Sequence, residues 1–266
     1  MADGVAWLFC PADRPARFEK AAAAADVVIL DLEDGVAPGD RVAARQALAD
    51  TRLDPNRTVV RLNPHGTADH TADLQALRQT DYFRVMLAKT ESAAQTASLA
   101  PLQVIALCET PRGILNAVQI ADSPAVEGMM WGAEDLIAGL HGRSSRFEDG
   151  TYRDVARHAR STVLLAAGAA GKLAIDSVYL NIPDLGGLAV EAADAVQVGF
   201  GAKACIHPRQ LAVVRTAYKP TEQEASWASR ILAAATTQPG VFQFEGLMVD
   251  EPVIRQARAI LARQVP

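Results

Sequence analysis

The side chains in this 266-residue sequence that could do chemistry together are carboxylates, each placed where a short apolar run gives way to polar residues. Val27–Asp31 continues into Leu32-Glu33-Asp34, and Val104–Leu107 is followed by Glu109-Thr110-Pro111-Arg112. Val126–Trp131 leads into Gly132-Ala133-Glu134-Asp135. Carboxylates gathered at one mouth repel one another unless a cation is present. Glu109 and Asp135 are 26 residues apart, the length of one strand–helix unit, so adjacent strands would carry both to the same rim. Two carboxylates completed by water and substrate oxygens suit Mg²⁺. Taken singly, either residue serves equally well as a helix cap, since Asp135 opens a helical pattern and Glu109 precedes a helix start at Pro111. As a pair flanked by Glu33, Asp34 and Arg61, they point to a metal site.

Arg61 lies inside the apolar run Val59-Val60-Arg61-Leu62 and needs a partner there. Glu33 or Asp34 on the neighbouring run is the expected one, and a held guanidinium can also stabilise an oxyanion. Gly132, Ala133 and Glu134 open a helix, and small residues at a helix N-terminus let backbone N–H groups approach a substrate carboxylate. Arg14, Arg17 and Lys20 fall at i, i+3 and i+6, which reads first as a solvated face. Beside an active mouth the same face would hold a diphosphate. Lys89 and Lys203 are expected as salt-bridge partners of the carboxylates. Histidines 65, 70, 141, 158 and 207 form no HxH or HExxH pair, and no GxSxG elbow occurs.

The elements that must position these groups are eight β-branched apolar runs: Val5–Cys10, Val27–Asp31, Thr58–Leu62, Phe83–Leu87, Val104–Leu107, Val126–Trp131, Ala174–Leu180 and Lys203–Ile206. Amphipathic stretches separate them, and the runs are continuous rather than alternating, as in parallel strands buried on both faces. Eight strand–helix units in about 210 residues predict a closed (β/α)₈ TIM barrel over residues 1–218. The first turn, Pro11-Ala12-Asp13-Arg14, carries neither GxGxxG nor a Walker pattern, which argues against a nucleotide-binding open sheet. Residues 219–266 are left as a C-terminal helical extension, with helices at Thr221–Thr236 and Glu251–Arg263 and an extended piece near Phe242–Met248. It is expected to pack on the barrel or on a neighbouring subunit.

Composition narrows the function classes. Half the residues are hydrophobic and 21% are charged, enough for a large core and against general disorder. A net charge of −5 with only 5% aromatics excludes a general nucleic-acid binder. Cys10, Cys108 and Cys205 are too few and too widely spaced for a disulfide framework or zinc site. They are expected as buried thiols. The start lacks a basic n-region, and the longest uncharged apolar run, Ala21 to Leu30 apart from Asp26, is far short of a bilayer span. A cytoplasmic protein without membrane partners is the expectation.

Read in order, these motifs resemble the citrate lyase β-subunit family of the HpcH/HpaI aldolase superfamily. The likeness is carried by Leu8-Phe9-Cys10-Pro11-Ala12-Asp13-Arg14, Leu30-Asp31-Leu32-Glu33-Asp34-Gly35, Val60-Arg61-Leu62-Asn63, Glu109-Thr110-Pro111-Arg112-Gly113, Gly132-Ala133-Glu134-Asp135-Leu136 and Cys205-Ile206-His207-Pro208, and it spans nearly the whole chain. It implies a TIM barrel, a homotrimer and a Mg²⁺-dependent lyase that cleaves a 3-hydroxyacyl-CoA thioester to a small oxo acid and acetyl-CoA. By the resemblance, Glu109 and Asp135 hold the metal and Arg61 is the site arginine, with Glu33 and Asp34 supporting it. Arg14, Arg17 and Lys20 meet the CoA phosphates. Asp250, within Gly246-Leu247-Met248-Val249-Asp250-Glu251-Pro252, is the catalytic aspartate that a neighbouring subunit supplies. The sequence departs from the family at Leu87-Ala88-Lys89, where proline usually precedes the lysine, and at Asn181–Leu188; both departures bear on the substrate. Two alternatives stand beside this reading: a class II pyruvate aldolase on CoA-free substrates, and a citrate lyase complex subunit acting on an acyl-carrier-protein thioester.

Overall fold

The computed structural model describes residues 4–238 and 240–264. It resolves into two compact units, one through Val214 and one from Arg215. In the first, eight parallel strands close into a barrel in sequence order: β1 (Ala6–Pro11), β2 (Val27–Asp31), β3 (Thr58–Leu62), β4 (Arg84–Leu87), β5 (Gln103–Cys108), β6 (Val126–Trp131), β7 (Leu173–Asp176) and β8 (Ala202–Cys205), with β8 pairing back onto β1. Both β2 and β3 are buried at every position, as parallel strands covered on the inside by a core and on the outside by helices must be. The helices include α1 (Phe18–Ala24), α2 (Arg41–Asp50), α3 (Ala68–Leu77), α4 (Ala93–Ala97), α5 (Pro111–Leu115), α6 (Ala117–Ala121), α7 (Ala133–Gly139), α8 (Asp154–Ala169), α9 (Leu185–Val198) and α10 (Pro208–Tyr218), whose last turn passes into the second unit.

Alternation along each strand sorts the side chains. Trp7, Val27, Ile29, Val59, Ile105, Leu107, Met130 and Ile175 form one core cluster, each worth roughly 1.5–3 kcal/mol of burial for an aliphatic or aromatic side chain. Their in-between neighbours, such as Val28 and Leu30, are buried as well, on the side that meets the helices.

Several expected boundaries shift for local reasons. The seventh strand ends at Asp176 rather than continuing to Leu180, because the Ser177 carbonyl accepts from the Lys203 ammonium at 2.7 Å instead of entering the ladder. The first helix begins with a 3₁₀ turn at Pro15–Arg17, which leaves Arg14 outside the helix. α7 opens at Ala133 with Gly132 as its N-cap, two residues before Asp135. The three cysteines are free and buried, and no helix among the described residues is long and apolar enough to cross a membrane.

The second unit has a core of its own. Ala228 and Ile231 of α11 (Glu222–Thr237) pack with Phe242, Val249, Ile254 and Ala257. Thr221 caps α11 through a capping box with Glu224. The expected extended piece is a hairpin, β9 (Phe242–Phe244) against β10 (Leu247–Val249). Its two loop residues, Glu245 and Gly246, both have positive φ, 50° and 85°, the backbone that a tight two-residue hairpin turn requires. Asp250 caps the last helix, α12 (Glu251–Ala262), and its side chain accepts from Val253 N–H at 3.4 Å.

Candidate active site

Strand alternation builds the site. Each inward series, carried one step past the apolar core, ends in a functional group: Val27, Ile29, Asp31 on β2; Val59, Arg61 on β3; Ile105, Leu107, Glu109 after β5; Met130, Gly132 after β6. All of these terminal groups line one cavity of about 320 Å³, together with Asp34, Asp135, Ala133, Glu134 and Phe9. This is the C-terminal end of the barrel strands, the usual active face of the fold.

Arg61 is held on two sides. Its Nε and Nη2 each donate to an Asp31 oxygen at 2.7 Å, a bidentate fork, and its Nη1 lies 2.9 Å from Glu33 Oε2. The parallel register sets Asp31 directly beside Arg61, and the guanidinium carbon sits 5.0 Å from the centre of the Phe9 ring. Burial alone would lower the Arg61 pKa, but Asp31 and Glu33 raise it, so the guanidinium keeps its charge. The Asp31 carboxylate also accepts from Glu33 N–H at 2.9 Å and Gly35 N–H at 3.0 Å. A Cβ at position 35 would stand 2.3 Å from its Oδ2, so that turn requires glycine. The expected partners of Arg61 were Glu33 and Asp34. Glu33 is one, Asp31 takes the larger share, and Asp34 instead contacts Lys89 at 3.3 Å.

Lys89 is the second cation of the site. Its Nζ lies 2.5 Å from Glu33, 3.3 Å from Asp34 and 3.1 Å from Asp135. Its backbone, at φ 51°, turns its N–H onto Glu109 Oε1 at 3.0 Å. Burial lowers its pKa, yet the surrounding carboxylates raise it further and keep the ammonium charged. Glu33 is raised by burial, offset in part by Arg61 and Lys89. Burial also lifts Asp34, but Lys89 and Glu33 bring it below its ordinary value.

Glu109 is almost fully buried, and burial together with the nearby charge of Asp135 pushes its carboxyl up to about 8. Arg61 and Lys89 bring it back down only in part. It does not cap a helix: Thr110 does, accepting from Gly113 N–H at 3.0 Å. Asp135 sits inside the first turn of α7 and is not its cap either. The capping alternative thus fails for both, and they remain two hard oxygen donors at one cavity wall. A Cβ at position 132 would stand 2.7 Å from Glu109 Oε2, so Gly132 is what lets that carboxylate pass. Among the described residues no three His, Cys, Asp or Glu side chains form a complete metal cage. Two carboxylates with open positions suit a hard cation that keeps much of its water, as Mg²⁺ does.

The other expected site residues make no ion pair with Arg61 or Lys89 among the described contacts. Arg14, Arg17 and Lys20 are exposed, and Arg14 approaches Asp13 at 3.7 Å. Glu134 lines the cavity, and one of its oxygens accepts from Ser145 Oγ at 2.6 Å. Asp250 belongs to the second unit, where it is a helix cap. Lys203 does not join the site carboxylates. It alternates with the core residues Ala202 and Ala204, so it points outward and is wholly buried against Asp176 and Glu191, each 2.9 Å away. Arg160 completes that pairing at 3.0 Å from Asp176, which also accepts from Trp131 Nε1 at 2.8 Å.

Comparison with known proteins identifies relatives over nearly the whole chain. The model of the HpcH/HpaI aldolase/citrate lyase family matches residues 6–103 and 96–208, and that of a C–C bond lyase of the TIM-barrel fold matches residues 153–264. A citrate lyase subunit beta-like protein of Mycobacterium tuberculosis is 61% identical over 262 residues, covering 98% of this chain and 96% of its own. A crystal structure of CitE from M. tuberculosis with magnesium, acetoacetate and coenzyme A superposes with a TM-score of 0.96 at 60% identity, over 99% of this chain and 98% of that one. A (3S)-malyl-CoA thioesterase of Cereibacter sphaeroides is 33% identical, over 96% of this chain and 93% of its own.

Proposed function

The chain belongs to the HpcH/HpaI aldolase/citrate lyase family and is a carbon–carbon lyase, and from that premise we propose that it cleaves a 3-hydroxyacyl-CoA thioester, of the citramalyl, malyl or 3-hydroxy-3-methylglutaryl type, to an oxo acid and acetyl-CoA with Mg²⁺. The observation that carries the proposal is the convergence of a locked guanidinium, Arg61, and two unpaired-by-capping carboxylates, Glu109 and Asp135, on one cavity. Magnesium, coenzyme A and acetoacetate in the M. tuberculosis relative support it.

In this reading Glu109 and Asp135 hold the metal, which supplies Lewis-acid stabilisation to substrate oxygens when bound. The substrate's 3-hydroxyl loses its proton to a base, the C2–C3 bond breaks, and its electron pair becomes the enolate of acetyl-CoA. Asp31 and Glu33 take three of the five N–H donors of Arg61. The other two meet the developing oxyanion without further reorganisation, an effect worth roughly 3 kcal/mol or more. Glu33 fixes the third arm of Arg61, and Asp34 acts through Lys89. Gly132, Ala133 and Glu134 bind the substrate at the α7 end of the cavity. Arg14, Arg17 and Lys20 take the CoA diphosphate, and Asp250, supplied by a neighbouring subunit of a homotrimer, returns a proton to the enolate carbon.

The test is product analysis on malyl-CoA, citramalyl-CoA and 3-hydroxy-3-methylglutaryl-CoA, with Mg²⁺ and then with EDTA. Mg²⁺-dependent appearance of acetyl-CoA with the matching oxo acid is expected. Release of free CoA with the hydroxy acid intact would make the chain a thioesterase, the activity named for the C. sphaeroides relative. Silence on all three thioesters would overturn the CoA assignment. Reversing the charges of Arg14, Arg17 and Lys20 should raise KM for the thioester while leaving kcat near wild type.

A further inference from the structure

The lysine at the end of β4 stands in an unusual position, because a single residue contacts both expected metal ligands. Its backbone N–H bonds Glu109 at 3.0 Å, and its ammonium lies 3.1 Å from Asp135. That double contact goes with a left-handed backbone, φ 51°, a conformation that side-chain-bearing residues seldom adopt. Strain of this kind persists only where the surroundings enforce it, and it clusters at functional sites. The contacts on both ends of the residue hold it here: Glu109 takes its N–H, and Glu33, Asp34 and Asp135 surround its ammonium. Arg61 is committed to Asp31 and Glu33 on the β2 side. Lys89 alone spans from that side to Asp135.

We infer that Lys89 is a built-in counter-ion: its ammonium neutralises Asp135 when no metal is bound, and it yields that carboxylate to the metal while keeping Glu33. The inference rests on the assignment of Glu109 and Asp135 as the metal's ligands. A mobile ammonium suits the task, since it is a compact point charge on a flexible stem with three donors to redistribute. Glu33 and Asp34 give it somewhere to go, at 2.5 and 3.3 Å. The consequence is that Mg²⁺ must compete with a tethered cation for Asp135, so the affinity of the site is tuned below what its carboxylates alone would give. The sidedness of the contact makes Lys89 a positioning residue rather than a catalytic one.

The test is calorimetric titration of the full-length protein with MgCl₂, alongside thermal melting in EDTA and in Mg²⁺. Lys89→Met and Lys89→Gln remove the competitor, whereas Lys89→Arg keeps the charge. The neutral variants should bind Mg²⁺ at least tenfold more tightly than wild type, equivalent to about 1.4 kcal/mol. They should also melt lower than wild type in EDTA and recover more on adding Mg²⁺. Lys89→Arg should stay within about threefold of wild type. A neutral variant that is folded only with Mg²⁺ is the extreme form of the expected result. If wild type binds Mg²⁺ and both neutral variants bind it no more tightly, the counter-ion role is overturned while the metal site stands. If neither wild type nor the neutral variants bind Mg²⁺, the metal assignment itself falls and takes this inference with it.

Discussion

Asp31→Asn is a one-atom change with a large expected effect. The Asp31 carboxylate accepts four hydrogen bonds: Arg61 Nε and Glu33 N–H on Oδ1, Arg61 Nη2 and Gly35 N–H on Oδ2. If Asn keeps its oxygen at the Oδ1 position, its amide nitrogen replaces Oδ2 and can accept neither of the other two. It also points N–H groups at a guanidinium and a backbone donor. Losing the charged bond costs about 1.5–3 kcal/mol and the backbone bond about 1 kcal/mol. The sum agrees with the 3–5 kcal/mol typical of breaking a buried ion pair from one side, with the lower part of that range favoured because Glu33 still holds Nη1. Urea unfolding should therefore show a loss of about 3 kcal/mol at unchanged m-value. With its fork open, Arg61 should also lose its aim, lowering kcat by tenfold or more at little change in KM, since the missing alignment acts in the transition state. A loss below about 1 kcal/mol with kcat intact would show that Asp31 does not hold Arg61, and the account of the site given above would be wrong.

Three further outcomes follow from the same contacts. Gly132→Ala places a methyl 2.7 Å from Glu109 Oε2 and 2.8 Å from its Cβ, so Mg²⁺ affinity measured by calorimetry should fall at least tenfold, and an unchanged affinity would remove Glu109 from the ligand set. Asp250→Ala should cost about 1 kcal/mol through loss of the α12 cap but lower kcat by a hundredfold or more; an activity loss no larger than the stability loss would leave Asp250 a cap and nothing else. His70 is buried, with Nδ1 3.0 Å from the Asn63 carbonyl, and burial lowers its pKa below the ordinary 6.5. A base whose folded pKa is depressed contributes stability that is present above 6.5 and is lost as pH falls below it, so unfolding free energy should decline from pH 7 towards 5, and His70→Asn should flatten that slope; an identical slope in the variant would place the titration elsewhere.

How much of this was legible in the sequence depends on which feature carries the information. The barrel was readable because most strands are short, largely apolar runs without alternation, and continuity is a local property. That Glu109 and Asp135 line one cavity was readable because their 26-residue spacing is that of one strand–helix unit. The partner of Arg61 was not, since Glu33 and Asp34 look as suitable as Asp31 until β2 and β3 are set in register. That register, with Asp31 beside Arg61, is a relation between two runs 30 residues apart, and no feature of either run encodes it. The backbone of Lys89 was hidden for a related reason. Nothing in Leu87-Ala88-Lys89-Thr90 announces a left-handed lysine, whereas a glycine there would have.

One signal was nevertheless present and usable. Counting by twos from the apolar core separates groups that enter the cavity from groups that leave the barrel. Val27 and Ile29 lead to Asp31, Val59 leads to Arg61, and Ile105 with Leu107 leads to Glu109. The same count sends Asp176 and Lys203 outward, because Ile175, Ala202 and Ala204 are the inward residues, and the structure pairs those two outside with Arg160 and Glu191. A lysine and an aspartate on barrel strands are chemically as suited to catalysis as Arg61 and Glu109, and composition cannot tell the two pairs apart. Alternation can, since a shift of one position moves a side chain from the substrate to the helical layer. The division has a thermodynamic side: the outward pair, sealed from water, serves to anchor β7, β8 and their helices, while the inward groups border a cavity that must admit ligand. Lys203→Met should accordingly destabilise the fold by about 3–5 kcal/mol, by leaving Asp176 and Glu191 short of a cation, and leave Mg²⁺ affinity unchanged. Equal stability with weakened Mg²⁺ binding would mean that the count assigns the wrong charges to the site.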